Sequence, residues 1–151
     1  MRIIESLSAL PALVGQEVAV SPWIEITQQQ IDLFAQATGD HQWIHVDAEK
    51  AKAGPFGATI AHGFLTLSLL PKFFETAFDL RGTRMGINYG LNKVRFTSPV
   101  PVGSRLRGRM TLLSCDPVDN GGVQMVWSTI VEREGADRPV CVAESVARRY
   151  P

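Results

Sequence analysis

Residues 61–78 read AHGFLTLSLLPKFFETAF, and on a helical wheel they are apolar on nearly every side. Phe64, Leu65, Leu67, Leu69, Leu70, Phe73, Phe74, Ala77 and Phe78 leave little polar surface. A helix of that kind must be wrapped on most sides by other elements. Pro71 lacks a backbone N–H, so the spacing predicts one kinked helix over residues 61–78. After it the period changes. Residues 86–96, 104–114, 122–133 and 140–150 are extended runs, separated by the turn signals PVPVG (99–103), DNGG (119–122) and EGAD (134–137). DNGG between two such runs is a hairpin signal. In the third run Val123, Met125, Trp127, Thr129 and Val131 form an apolar face. The alternating Gln124, Val126, Ser128, Ile130 and Glu132 are partly apolar, which predicts cover on both faces. One apolar helix followed by antiparallel strands is most economically arranged with the sheet wrapped around the helix, an α+β fold.

Upstream, residues 27–38 form a second predicted helix. Thr27 and Gln30 have capping-box spacing, and Ile31, Phe34, Ala35 and Thr38 form its apolar stripe. Gly39 suits the left-handed residue that ends a helix. Residues 17–26 are extended, with Pro22 marking an edge or an interruption. Leu7, Leu10 and Leu13 suggest a short amphipathic turn, and GPFG at 54–57 a loop. Without an internal repeat or low-complexity segment, residues 1–151 are expected to be a single domain.

Fifteen basic residues balance fifteen acidic ones, so net charge points neither to nucleic acid nor to an anionic membrane. No apolar stretch approaches the ~20 residues of a membrane span. The start, MRIIE, lacks a secretory pattern, and Cys115 and Cys141 show no CxxC spacing. They are expected to be buried, reduced thiols in a cytoplasmic protein.

All three histidines fall in two short runs, GDHQWIH at 39–45 and AHGF at 61–64. A carboxylate (Asp40) and an imidazole (His45) on one tight loop can hold and deprotonate a water, and the later glycine run can supply a backbone donor to an oxyanion. His41 and His45 also have H-x-x-x-H spacing. A zincin helix needs glutamate after the first histidine, however, and Gln42 stands there, so no metal is expected. Asp40 could equally be a turn residue, and His45 a structural histidine; their joint placement favours chemistry. His62 is expected to order the loop through a hydrogen bond, His41 to be exposed, and Trp43 to be an apolar anchor. Arg105, Arg107 and Arg109 share one strand face; a solvated face is favoured over a phosphate site.

The runs FAQATGDHQWIHVD (34–47), GPFG and TIAHGF (54–64), and NKVRF with PVPVG (92–103) resemble the signature of MaoC-like, (R)-specific enoyl-CoA hydratases. The resemblance covers roughly residues 17–148. It implies a hot-dog fold, a curved antiparallel sheet around a long central helix. It implies reversible hydration of trans-2-enoyl-CoA to (R)-3-hydroxyacyl-CoA, with Asp40 and His45 as the acid–base pair and the Gly63 backbone N–H facing the thioester oxygen. Gln42 and His62 become candidates for positioning water or substrate, and Lys93 and Arg95 for contacting the coenzyme A phosphates. No cofactor is implied beyond the coenzyme A of the substrate; a homodimer is. The usual Asn-Pro between the catalytic residues is Gln42-Trp43 here, which puts the role of Gln42 in doubt more than that of Asp40 or His45. Two other activities stay open: a hot-dog acyl-CoA thioesterase, which generally lacks this loop, and a non-catalytic acyl-CoA-binding protein, as among the nodulation-protein-N-like relatives.

Overall fold

The computed structural model describes residues 1–151. In chain order it contains β1 (Arg2–Ile4), a 3-10 turn (Leu7–Leu13), β2 (Glu17–Val20), β3 (Ile24–Glu25), α1 (Gln28–Thr38), α2 (Trp43–Val46) and α3 (Ala48–Lys52). Then follow α4 (Gly63–Ser68), α5 (Leu70–Ala77), β4 (Phe78–Leu80), β5 (Met85–Arg95), β6 (Arg105–Pro117), β7 (Val123–Arg133) and β8 (Cys141–Tyr150). The main sheet is antiparallel in the order β2-β6-β7-β8-β5, with β3 also on β6. The alternation read from the sequence explains it. Met125, Trp127, Thr129 and Val131 point inward from β7 and are at most 2% exposed. With Leu106, Met110 and Leu112 of β6, they form the floor on which Leu65, Leu70, Phe73 and Ala77 pack. Phe74 meets Trp127 edge-on at 5.2 Å and Phe78 stacks on it at 5.5 Å, contacts worth ~0.5–1.5 kcal/mol each beyond area burial. The DNGG hairpin forms with Asn120 and Gly121 both left-handed, φ 60° and 70°. Pro22 interrupts the edge strand, leaving β2 and β3 as separate pieces on β6.

Several expectations are corrected. The central helix is interrupted at Leu69, two residues before Pro71, so the expected kink is a break into two short helices. Pro71 sits in the first turn of α5, where no intrahelical N–H bond is required. The helix ends at Ala77; Phe78 begins β4, which pairs in parallel with β1, a strand absent from the sequence reading. Residues 43–52 hold two single-turn helices, so His45 lies on α2 and not on the same tight loop as Asp40. Nor is the helical layer wrapped on most sides: Phe64 is 67% exposed, and Leu67 and Phe74 are only half-buried. The outer face of β7 lacks the predicted cover, leaving Ile130 40% exposed. Both cysteines are free, but only Cys141 is buried; Cys115 is half-buried. Burial pushes the Cys141 thiol up to about 11.

Between α4–α5 and the β5, β7 and β8 strands lies a cavity of about 740 Å³, lined by Leu67, Pro71, Phe74, Met125 and Trp127 among others. Beside it β5 runs along the sheet edge with Met85, Ile87, Tyr89 and Leu91 exposed. No helix is long and apolar enough to cross a membrane.

Candidate active site

The site is built where the end of α1 meets the segment before α4. Thr27 caps α1 in a reciprocal box with Gln30: Gln30 N–H donates to Thr27 Oγ1 (3.2 Å) and Thr27 N–H to Gln30 Oε1 (2.9 Å). At the other end Gly39 has φ 80° and its N–H donates to the Ala35 carbonyl at 2.8 Å. The left-handed turn stops the helix and leaves Asp40 exposed on a rigid base. Asp40 Oδ1 accepts the Gln42 N–H at 3.3 Å. The chain then turns once through α2, and His45 N–H donates to the Gln42 carbonyl at 3.0 Å.

His45 is 6% exposed. Its Nδ1 lies 2.7 Å from the Ile60 carbonyl, which can only accept, so Nδ1 carries the proton. In the neutral ring Nε2 is therefore the lone-pair nitrogen, and the backbone bond fixes both tautomer and ring orientation. Gln28 Nε2 donates to the His45 carbonyl (2.8 Å), and Thr59 Oγ1 donates to Gln28 Oε1 (2.5 Å). His62, 2% exposed, donates from Nε2 to the Asp40 carbonyl at 3.0 Å. Its ring stacks on His45 with centroids 3.8 Å apart and is flanked by Phe34 at 4.9 Å. His62 Nδ1 is buried without a hydrogen-bond partner.

One ligand-capable atom from each of Asp40, His45 and His62 lies within 4.8 Å of the others. A carboxylate and an imidazole lone pair at that spacing can share one water as acceptors of its two protons. The same donor set could also take a cation. It is not the H-x-x-x-H pair of the sequence, because His41 is exposed and outside the group.

Gly63 begins α4, and neither its N–H nor that of Phe64 has an acceptor within the protein. A Cβ at position 63 would lie 2.8 Å from the Phe96 ring, so glycine lets Phe96 pack against the Cα side of this residue.

Other residues singled out from sequence fall as follows. The Gln42 side chain is exposed and makes no hydrogen bond; its contribution is through its backbone. Trp43 packs against Gly54 and under Lys50, as an apolar anchor. Lys93 and Arg95 are exposed near the end of β5, beside the Phe96 that covers Gly63. Arg105, Arg107 and Arg109 pair with Glu134 (2.9 Å), Glu132 (2.7 Å) and Glu17 (2.8 Å), a solvated ion-pair ladder. Sequence reasoning missed Gln28, Thr59 and Ile60. No spacing connects Gln28 with Thr59, and Ile60 acts through its carbonyl, which no side-chain motif encodes.

The model of the MaoC like domain matches residues 10–134. The chain is 55% identical over 148 residues to 3-hydroxyacyl-thioester dehydratase Z of Mycobacterium tuberculosis, covering 98% of both. It is 49% identical over 140 residues to nodulation protein N of Rhizobium leguminosarum bv. viciae, covering 91% of this chain and 87% of that one. The R-hydratase PhaJ1 structure from Pseudomonas aeruginosa superimposes with a TM-score of 0.68 at 27% identity, covering 91% of this chain and 81% of that one. The chain belongs to the MaoC-like dehydratase family, and its antiparallel sheet over a central helical layer is the hot-dog fold.

Proposed function

We propose that this chain is a hydro-lyase adding water reversibly to trans-2-enoyl-CoA to give (R)-3-hydroxyacyl-CoA. The observation that carries the reading is the convergence of Asp40 and His45 on one small volume beside an unpaired backbone donor at Gly63. The similarity to a 3-hydroxyacyl-thioester dehydratase supports it. Conjugate addition needs three things: a nucleophilic water at the β-carbon, a proton at the α-carbon and stabilisation of enolate charge on the thioester oxygen. Asp40 and His45 Nε2 accept the two O–H groups of one water. As the oxygen attacks, one of the pair takes a proton, and the pair returns a proton to the α-carbon on the same face, ending as it began. General acid–base help of this type contributes ~10²–10⁴-fold. The Gly63 N–H needs no reorganisation to donate to that charge, because the start of α4 already fixes it. The proposed chemistry uses no cofactor beyond the substrate's own coenzyme A. Its phosphates are assigned to Lys93 and Arg95, and the acyl chain to the apolar cavity along α4 and α5.

The test is the loss of conjugated-thioester absorbance when enzyme is added to enoyl-CoAs of graded length, with chiral analysis of the product. The (R)-alcohol is expected. Free thiol release without hydration would indicate a thioesterase instead, and no turnover at any length would favour a binding protein.

We also propose a homodimer formed through β5. A long edge strand carrying exposed Met85, Ile87, Tyr89 and Leu91 invites pairing with another strand. Light scattering is expected to give twice the 16.6 kDa chain mass; a monomer at micromolar concentration would overturn this. Two free cysteines, both with thiols made less acidic chiefly by burial, suit the reducing cytoplasm assigned to it.

A further inference from the structure

The cavity assigned above to the acyl chain is apolar along most of its length but not at its far end. Its near end starts at Leu67, one helical turn from Gly63, and its far end is reached after α5, at Thr83, Arg84 and Gly86. Arg84 and Arg149 both line it, and neither has a carboxylate within 4 Å or a side-chain hydrogen bond. The one acid in the lining, Glu75, is paired with Lys72 at 3.3 Å. Arg149 is partly buried, and that burial holds its guanidinium below its ordinary value. Its place is built into the strand beside it: a Cβ on Gly86 would lie 1.2 Å from Arg149 Nη1. Glycine at 86 thus opens a seat in which the guanidinium lies against the β5 backbone. A half-buried guanidinium whose five donors have no acceptor in the protein is open to an anion that enters the cavity.

We propose that Arg149, with Arg84 lining the same end, forms an anion subsite, and that the acyl group filling the cavity is a long chain ending in a carboxylate. This deepens the hydratase reading and rests on it, since it takes the acyl chain to lie along α4 and α5. The cavity runs past the whole of α5 before it reaches Arg84 and Arg149, so a long chain and not a short one carries a terminal carboxylate to them. A short carboxylate-ended chain would instead bury its charge among Leu67, Phe74 and Trp127, unpaired.

The experiment compares kcat/KM for enoyl-CoAs ending in a methyl or a carboxylate, at short and long length, in wild type, Arg149→Gln, Arg149→Lys and Gly86→Ala. Wild type is expected to favour the carboxylate at least tenfold for the long pair and to disfavour it for the short pair. Arg149→Gln and Gly86→Ala should each lower the long-chain carboxylate-to-methyl ratio at least tenfold, and Arg149→Lys should restore part of it. A wild-type preference for long methyl-ended chains would overturn the proposal. So would variants in which both substrates fall together, with or without loss of the dimer, because Arg149 would then be a structural or interface residue. If no enoyl-CoA is hydrated, the hydratase reading fails separately, and calorimetry with the saturated acyl-CoA pair decides the subsite. Tighter carboxylate binding that Arg149→Gln abolishes supports it; equal affinities overturn it. Weakened binding of coenzyme A alone by Arg149→Gln would assign the arginine to the phosphates and overturn it too.

Discussion

Asp40→Asn lowers kcat for hydration by about 10²–10⁴-fold while the thermal unfolding midpoint stays close to that of wild type. The two halves of this expectation come from different facts. Asp40 is exposed, and the only bond its side chain makes is to the Gln42 N–H at 3.3 Å, which an asparagine oxygen can also accept. Substitution at such a surface position usually changes stability by less than about 0.5 kcal/mol. The backbone contact that holds the loop, from His62 Nε2 to the Asp40 carbonyl, does not depend on the side chain. What the amide removes is the negative charge and the ability to take a proton. The water would then meet an acceptor too weak to share the base's work, although the geometry around it is unchanged. Steady-state rates on an enoyl-CoA, set beside unfolding curves, provide the measurement. A variant retaining activity within about tenfold of wild type would remove Asp40 from the acid–base pair and leave it as a turn residue.

Those two alternatives for Asp40 were already visible in the sequence, and the physical reason is local. Capping boxes, helix-ending glycines and hairpin turns are encoded by residues within a few positions of one another. Thr27 and Gln30, Gly39, and Asn120 with Gly121 therefore adopt the conformations their spacing implies. The alternation in β7 likewise identifies its buried face, because a strand has only two faces to choose between. Coverage by other elements is not local. Nothing within residues 61–78 records that α4 and α5 would be covered on only one side, or that Phe64 would remain exposed. The wrapping expected of an all-apolar helical surface is met on the sheet side, while another side borders the cavity along Leu67 and Phe74. Pro71 was ambiguous, since the missing N–H that kinks a helix interior is harmless in a first turn. Arg149 carries no motif at all. Its interest lies in what it lacks, a partner, and in Gly86 on the neighbouring strand, remote in sequence.

His45→Gln is expected to cost both activity and stability, and the combination separates it from Asp40→Asn. The ring is nearly buried, stacks on His62 at 3.8 Å and donates to the Ile60 carbonyl at 2.7 Å. Glutamine is longer and not planar over the same span, so it cannot keep both the stack and the bond. A buried carbonyl left without a donor costs about 1–3 kcal/mol, which should lower the unfolding midpoint by several degrees in a chain of this size. Hydration should fall by about 10²–10⁴-fold when assayed well below that midpoint. The more searching measurement is the double variant. If Asp40 and His45 grip the same water, then once either is gone the other has little left to act on. Asp40→Asn/His45→Gln should accordingly be no more than about tenfold slower than the worse single variant, the non-additivity expected of residues that act as a unit. Independent roles would instead multiply the two losses. A multiplied loss, or a His45→Gln enzyme that turns over near the wild-type rate while still folded, would rule out the shared-water mechanism. Either result would still leave untouched the hydrogen bonds from Gln28, Thr59 and His62 that hold the two segments together.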